Sequence, residues 1–321
     1  MRANTKTFSL YFWLVAALLP VVLRNIYLLH LLVVALIYSV TAMGLNILTG
    51  YTGKLSLGHA GLFGLGAYVS ALLSLHEVPV PVAMLAAGIA VASVGVLLGI
   101  PTLKLQGHYL SIVTLGFSEI LILIIINWKS LTNGPGGLRG IPPISIGSFS
   151  LVDEVPQYYF MLGLVALLVW VKARIVHSHV GLALRAIMDS ETAAEAMGIS
   201  VAYYRVMAFG ISSFYAGLGG ACFSHLLGYV SPYSFQSAES FGLLGMVVVG
   251  GIGTLYGPVL GAVLMTLLPE YFRAFADFRL ILNAVVTIIL LIKAPGGIVG
   301  TVQALARRRQ LSAPTARGCG L

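Results

Sequence analysis

Apolar runs long enough for a bilayer recur along the whole chain, broken by short polar or glycine-rich links. A helix crossing the hydrocarbon core takes roughly 20 mostly apolar residues. Runs of that kind fall at about 8–23, 26–48, 55–75, 80–103, 109–127 and 157–171. Beyond a polar stretch at 172–205 come further runs at about 206–227, 241–253, 256–269 and 279–294. The pattern predicts an all-α integral membrane protein, a polytopic helical bundle of about 8–10 membrane segments. Residues 241–269 read either as one long helix or as two short ones. The second reading places a hinge in GGIGTLYGP at 250–258, where glycine and proline cluster.

Charge separates these two readings. With Arg2 and Lys6 on the cytoplasmic side, six crossings return Lys172, Arg174, Arg185 and Arg205 to that side. Only the two-segment reading also brings Arg307, Arg308 and Arg309 inside. Thirteen of the 18 Lys and Arg then lie inside and five, Arg24, Lys129, Arg139, Arg273 and Arg279, outside. Both termini are expected in the cytoplasm. The first helix is expected to stay uncleaved, since no convincing small-x-small site precedes Arg24. Residues 1–303 are expected to form one membrane domain, with a main outer loop at 129–156 and a polar inner loop at 172–205. Residues 304–321 are expected to form an unstructured basic tail near anionic lipid.

Composition narrows the class. The chain is 59% hydrophobic and 9% charged, against about 45–50% and about 25% in soluble domains, which excludes an ordinary soluble enzyme. The net charge of +8 is spread between apolar runs. That placement fits membrane orientation rather than a groove for nucleic acid. Cys222 and Cys319 make neither a disulfide framework nor a metal-ligand spacing, and His177 and His179 alone are a weak metal signal. The stretch GYTGKLS at 50–56 departs from a P-loop in its glycine spacing and in Leu55, which stands where a hydroxyl should follow the lysine. No cofactor is expected in this chain, so any ATP would be bound by a partner. Gly210 to Phe214 lacks the closing glycine of a nucleophile elbow.

Polar groups inside apolar runs are the remaining candidates. Glu119 stands alone in LGFSEILILIIIN, where an ionisable group is expensive unless it faces a cavity or a partner. Asn46, His59 and His225 can each satisfy themselves by interhelical hydrogen bonds. The glycines of GHAGLFGLGAY either let helices approach closely or line a pathway. In DSETAAEAMG at 189–198, acids at the start and a glycine at the end bracket a short helix. A helix of that length is marginal alone, and Glu191 and Glu195 repel at i,i+4. It gains most by docking, either on its own bundle or in the cleft of another protein.

These residues carry a resemblance. GLNILTGYTGKLSLGHAGLFGLGAYVSALL at 44–73, GHYLSIVTLGFSEI at 107–120, GLALRAIMDSETAAEAMGI at 181–199 and GMVVVGGIGTLYGPVLGA at 245–262 together resemble the LivM-type permeases of ABC importers for branched-chain amino acids. The resemblance implies a transmembrane subunit in a prokaryotic cell membrane, without an ATPase site of its own. It implies a second LivH-type permease subunit, two cytoplasmic ATP-binding subunits and an external solute-binding protein as partners. It also implies that Glu191, Ala194, Glu195 and Gly198 belong to the loop that couples the ATPase to gating, though Glu-Thr-Ala-Ala stands where the family has Glu-Ala-Ala. Glu119, Asn46 and His59 are then candidates for the translocation pathway. Related permeases carry urea, short amides or other hydrophobic amino acids. The competing class is an ion-gradient-driven transporter centred on Glu119, which would have no use for the 181–199 segment.

Overall fold

The computed structural model describes residues 12–20, 25–103, 105, 107–146, 149–272, 288 and 296–301. After a helix at 12–20 (α1) come α2 (Ile26–Thr52), α3 (His59–Leu75), α4 (Val80–Thr102), α5 (His108–Asn127) and the one-turn α6 (Lys129–Thr132). Then follow α7 (Glu154–Val176), α8 (His179–Asp189), α9 (Glu191–Ala196), α10 (Val201–Leu227), α11 (Ser237–Gly250) and α12 (Gly257–Tyr271). Five of these, α2, α4, α5, α7 and α10, are long and apolar enough to cross a membrane. The chain is therefore a multi-pass helical membrane protein. The expected crossing at 279–294 and the tail at 304–321 lie almost wholly outside the described residues.

Regular structure outside the helices is slight. Strands β1 (Leu138–Arg139) and β4 (Tyr229–Val230) pair antiparallel, with Leu138 opposite Val230, while β2 (Ser145–Ile146) pairs with β3 (Phe149–Ser150). The outer loop expected at 129–156 thus holds, among its described residues, single turns and two-residue strands before α7 begins at Glu154. Its β1–β4 pair ties it to the end of α10.

Helix α10 is the centre of the bundle and packs against α4, α3 and α2. Small residues allow it. A Cβ on Gly66 would strike the backbone of Gly217, and one on Gly220 would strike the carbonyl of Phe63, so α3 and α10 cross with their backbones nearly touching. In lipid such close packing replaces the hydrophobic drive between helices. An aromatic group fills the neighbouring space, with Phe63 and Phe223 rings 5.3 Å apart and Phe235 6.0 Å from Phe223. The Tyr215 hydroxyl donates to Leu168 O at 2.9 Å, joining α10 to α7.

The two-segment reading of 241–269 holds. Helices α11 and α12 run antiparallel, since Gly250 lies against Gly257 and Gly261 lies against Met246. Residues 251–256 form the hinge. At about 1.5 Å per residue each helix is only about 21–23 Å long, shorter than a bilayer core of roughly 30 Å.

One boundary differs from the sequence reading in a way that matters. Lys172 was expected in a polar inner stretch, but α7 continues to Val176 and buries Lys172 completely. The apolar run stops at residue 171 because a lysine follows, and the helix does not. The polar stretch is also more ordered than expected, because α8 precedes the short helix.

Candidate functional site

The coupling candidates lie on two short helices that leave the end of α7. Ser178 caps α8 by accepting from Val180 N at 3.2 Å, and Ser190 caps α9 by accepting from Ala193 N at 3.3 Å. Helix α9 closes through Gly198 at φ 81°. Gly198 N donates to Glu195 O at 2.9 Å and Ile199 N to Ala194 O at 3.0 Å, the double bond pattern of a left-handed glycine cap. Acid, hydroxyl and glycine thus fix both ends of a helix of only six residues.

All four coupling candidates stand on this element, but they face two ways. Ala194 is buried against Ile187 and Val201. The Glu191 carboxylate pairs with Lys54 at 2.8 Å and with Arg205. Arg205 also donates through Nη1 to Leu103 O at 3.2 Å, beyond the end of α4. Partial burial pushes the Glu191 pKa upward, but hydrogen bonds and charge from Lys54 and Arg205 outweigh it and hold the carboxyl below its ordinary value. Glu195 and Gly198 face outward beside Thr192, Ala196 and Met197. On the amphipathic α8, Leu182 and Met188 are likewise exposed. The element is pinned to its own bundle on one side and offers on the other a mixed surface in which Leu182, Met188 and Met197 stand with Asp189 and Glu195.

The start of α3 carries the second group. Its N-cap, Gly58, has no side chain to satisfy the free N–H groups of the first turn. Hydroxyls from other helices do so instead. Thr114 Oγ1 of α5 accepts from Leu57 N at 3.0 Å, Ser118 Oγ accepts from Gly61 N at 2.8 Å, and Ser240 Oγ of α11 accepts from Ala60 N at 3.1 Å. His59 is buried, with Nε2 2.6 Å from Ser212 Oγ of α10 and Nδ1 3.2 Å from Ser56 Oγ. His59 therefore helps lock α3 to α10. Glu119 follows Ser118 in sequence but is only half-buried and makes no hydrogen bond or ion pair among the described residues.

Asn46 belongs to a third group that the sequence did not reveal. Lys172 Nζ donates to Asn46 Oδ1 at 2.8 Å, to Thr254 O at 3.1 Å and to Leu255 O at 3.5 Å. Asn46 Nδ2 donates to Gly251 O at 3.3 Å. Thr254 folds the hinge on itself, its Oγ1 donating to Gly251 O at 2.7 Å and accepting from Gly257 N at 3.1 Å. An ammonium and an amide thus bind the carbonyls of the α11–α12 hinge to α7 and α2. The only available sequence signal was an ionisable residue at the end of an apolar run.

His225 is structural in its bonding. Its Nδ1 lies 2.7 Å from Pro142 O, so that nitrogen carries the proton, and Nε2 accepts from Ser70 Oγ at 2.9 Å. The outer loop is fastened there. Of the GYTGKLS stretch, residues 50–52 form the last turn of α2, closed by Gly53 at φ 68°, and 54–56 lie in the link to α3. A phosphate cradle needs the N–H groups of a helix start, whereas this stretch presents a helix end. Among the described residues no three His, Cys, Asp or Glu gather as a metal site.

Comparison with known proteins agrees with this architecture. The family model described as branched-chain amino acid transport system / permease component matches residues 27–295. The high-affinity branched-chain amino acid transport system permease protein LivM of Salmonella typhimurium is 34% identical over 287 residues, covering 82% of this chain and 68% of the relative. LivM of Escherichia coli is 33% identical over the same shares. LivH of Salmonella typhimurium is 21% identical over 287 residues, covering 82% of this chain and 91% of the relative. No solved structure matches. With most of its length matched and its LivM likeness extending across the bundle, the chain belongs to the permease-component family of branched-chain amino acid transport systems.

Proposed function

We propose that this chain is one of two permease subunits of an ATP-driven importer and moves branched-chain or related hydrophobic amino acids across the cell membrane. A LivH-type subunit completes the translocation unit, two cytoplasmic subunits bind and hydrolyse ATP, and an external solute-binding protein delivers the solute. The end of the bundle carrying α8 and α9 faces the cytoplasm, with both termini on that side. No ATP is bound or hydrolysed by this chain itself.

The observation that carries the reading is the α8–α9 element. Two short helices are capped by Ser178 and Ser190, anchored inward by Glu191 and Ala194, and left with Leu182, Met188, Glu195 and Met197 uncovered. A connector resting on its own bundle has no need of that outer surface, whereas a groove in an ATPase would bury it. Identity to LivM supports the substrate class. The test is uptake of labelled leucine by proteoliposomes holding the assembled transporter, with ATP inside and binding protein outside. Uptake that requires both is the expected result. Uptake driven by an ion gradient without ATP would defeat the reading, as would uptake of urea or short amides with leucine excluded.

A further inference from the structure

Lys172 has no place in the coupling surface or in the hydrogen-bonded group at the start of α3, yet it is the charged side chain buried most completely among the described residues. Replacing a buried charge and its partners by apolar residues is often neutral or stabilising, so stability alone is a weak reason for it. Its partners are unusual in kind. Among the described residues, no carboxylate pairs with it. Its three N–H groups meet three neutral oxygens, one amide and two backbone carbonyls, on α2 and on the α11–α12 hinge. In a low-dielectric interior an ammonium–carboxylate pair is hard to separate, whereas bonds to neutral oxygens can be exchanged.

Position supplies the second half of the argument. Lys172 lies about one turn before the end of α7 at Val176, and only His177 and Ser178 separate that end from α8. The end of α2 touches the same element, with Arg185 stacked over the Tyr51 ring at 5.5 Å and Met188 against Gly53. On its other side α2 closes on the hinge, where Gly50 and Gly253 meet backbone to backbone. The hinge has no regular structure of its own, and its carbonyls at 251, 254 and 255 are the groups that Asn46 and Lys172 hold.

We propose that Lys172, with Asn46, is a positioning pair for transport. It fastens the α11–α12 hinge to the ends of α7 and α2, so that displacement of α8–α9 by the ATPase moves the hinge with it. The proposal rests on the importer reading given above. Short helices joined by a glycine-rich hinge suit such a role, since a hinge is a few residues that absorb backbone change. In this role the pair acts through the α11–α12 hinge.

The test uses the assembled transporter in proteoliposomes. Lys172→Met is expected to keep subunit assembly and basal ATP hydrolysis while uptake per ATP falls about tenfold. The double variant Asn46→Leu with Lys172→Met removes both polar partners. Its thermal midpoint should return toward that of the unaltered protein while uptake per ATP stays low. Recovery of uptake together with the midpoint would make the pair merely structural and overturn the proposal, as would unchanged uptake in either variant. A measurement independent of these variants uses spin labels at the exposed Ile252 and His179, in a background of Cys222→Ala and Cys319→Ala. Their separation should stay constant between nucleotide-free and ATP-bound states, and a change in it overturns the proposal. If the unaltered transporter shows no ATP-dependent uptake, the importer reading falls and takes the proposal with it. If that uptake is present and the labels separate, the proposal alone falls.

Discussion

Glu191 at the start of α9 and Lys54 in the link between α2 and α3 stand 2.8 Å apart, with Arg205 of α10 on the same carboxylate oxygen. Helix α9 is thereby tied by charge to two parts of the bundle far apart in sequence. Because the folded pKa of Glu191 is held below its ordinary value of 4.5, the tie is fully present above that value and is lost as pH falls through the folded pKa. Glu191 is about one-third exposed, so solvent screening limits the contribution to about 1 kcal/mol or less. Amide protection across 181–199, taken relative to the intrinsic exchange rate at each pH, is expected to hold from neutral pH down to the ordinary carboxylate range and to fall below it. In Glu191→Gln the same amides should exchange faster at neutral pH and lose that pH dependence. Identical profiles in the two proteins would remove the tie.

Gly198 tests the cap. Its φ of 81° is left-handed, yet nothing lies within 4 Å of a Cβ placed there, so backbone conformation alone restricts the residue. Gly198→Val should cost about 1–2 kcal/mol locally and reduce uptake per ATP without unfolding the bundle. Gly198→Asn should retain most of it, because asparagine tolerates this region. Equal uptake in both variants would remove Gly198 from coupling.

Packing predicts a contrast between two other glycines. Gly220→Ala drives a methyl into the Phe63 carbonyl, while Gly163 has open space. The first should lower stability by about 1–3 kcal/mol. The second should be neutral or slightly stabilising, since alanine favours a helix by about 0.5–1 kcal/mol. Thermal unfolding in detergent reads both, and equal midpoints would contradict the α3–α10 crossing.

Glu119 separates the importer from a gradient-driven transporter. Half-buried and without a bonded partner among the described residues, it has no ring of ligands there of the kind a cation site needs. Glu119→Gln should leave uptake dependent on ATP and unaltered by collapse of the proton gradient. Loss of uptake with ATP hydrolysis intact would return Glu119 to the centre of the mechanism.

Much of the bundle was legible because lipid demands long apolar helices, and their order could be read from hydropathy. The hinge at 251–256 was legible through glycine and proline, and the Gly198 cap through its place after an acidic start. Lys172 was not. A lysine closing an apolar run looks the same whether it snorkels to the interface or turns inward, and only the fold supplies Asn46 and the hinge carbonyls. The hydroxyls serving α3 were hidden for the same reason, since Thr114, Ser118 and Ser240 lie 57 or more residues away from their partners. The inward face of α9 was also hidden, because Ala194 could have faced either side until Ile187 and Val201 were in place.

The most direct measurement is a mild-detergent purification of this chain from its native membrane, with mass spectrometry of what stays bound. The expected result is a P-loop ATPase and a second permease of similar size, with the ATPase lost when the outward surface of α8–α9 is disrupted by Leu182→Asp with Met197→Asp. A homo-oligomer or monomer that binds no ATPase, yet moves solute in vesicles without ATP, would contradict the importer.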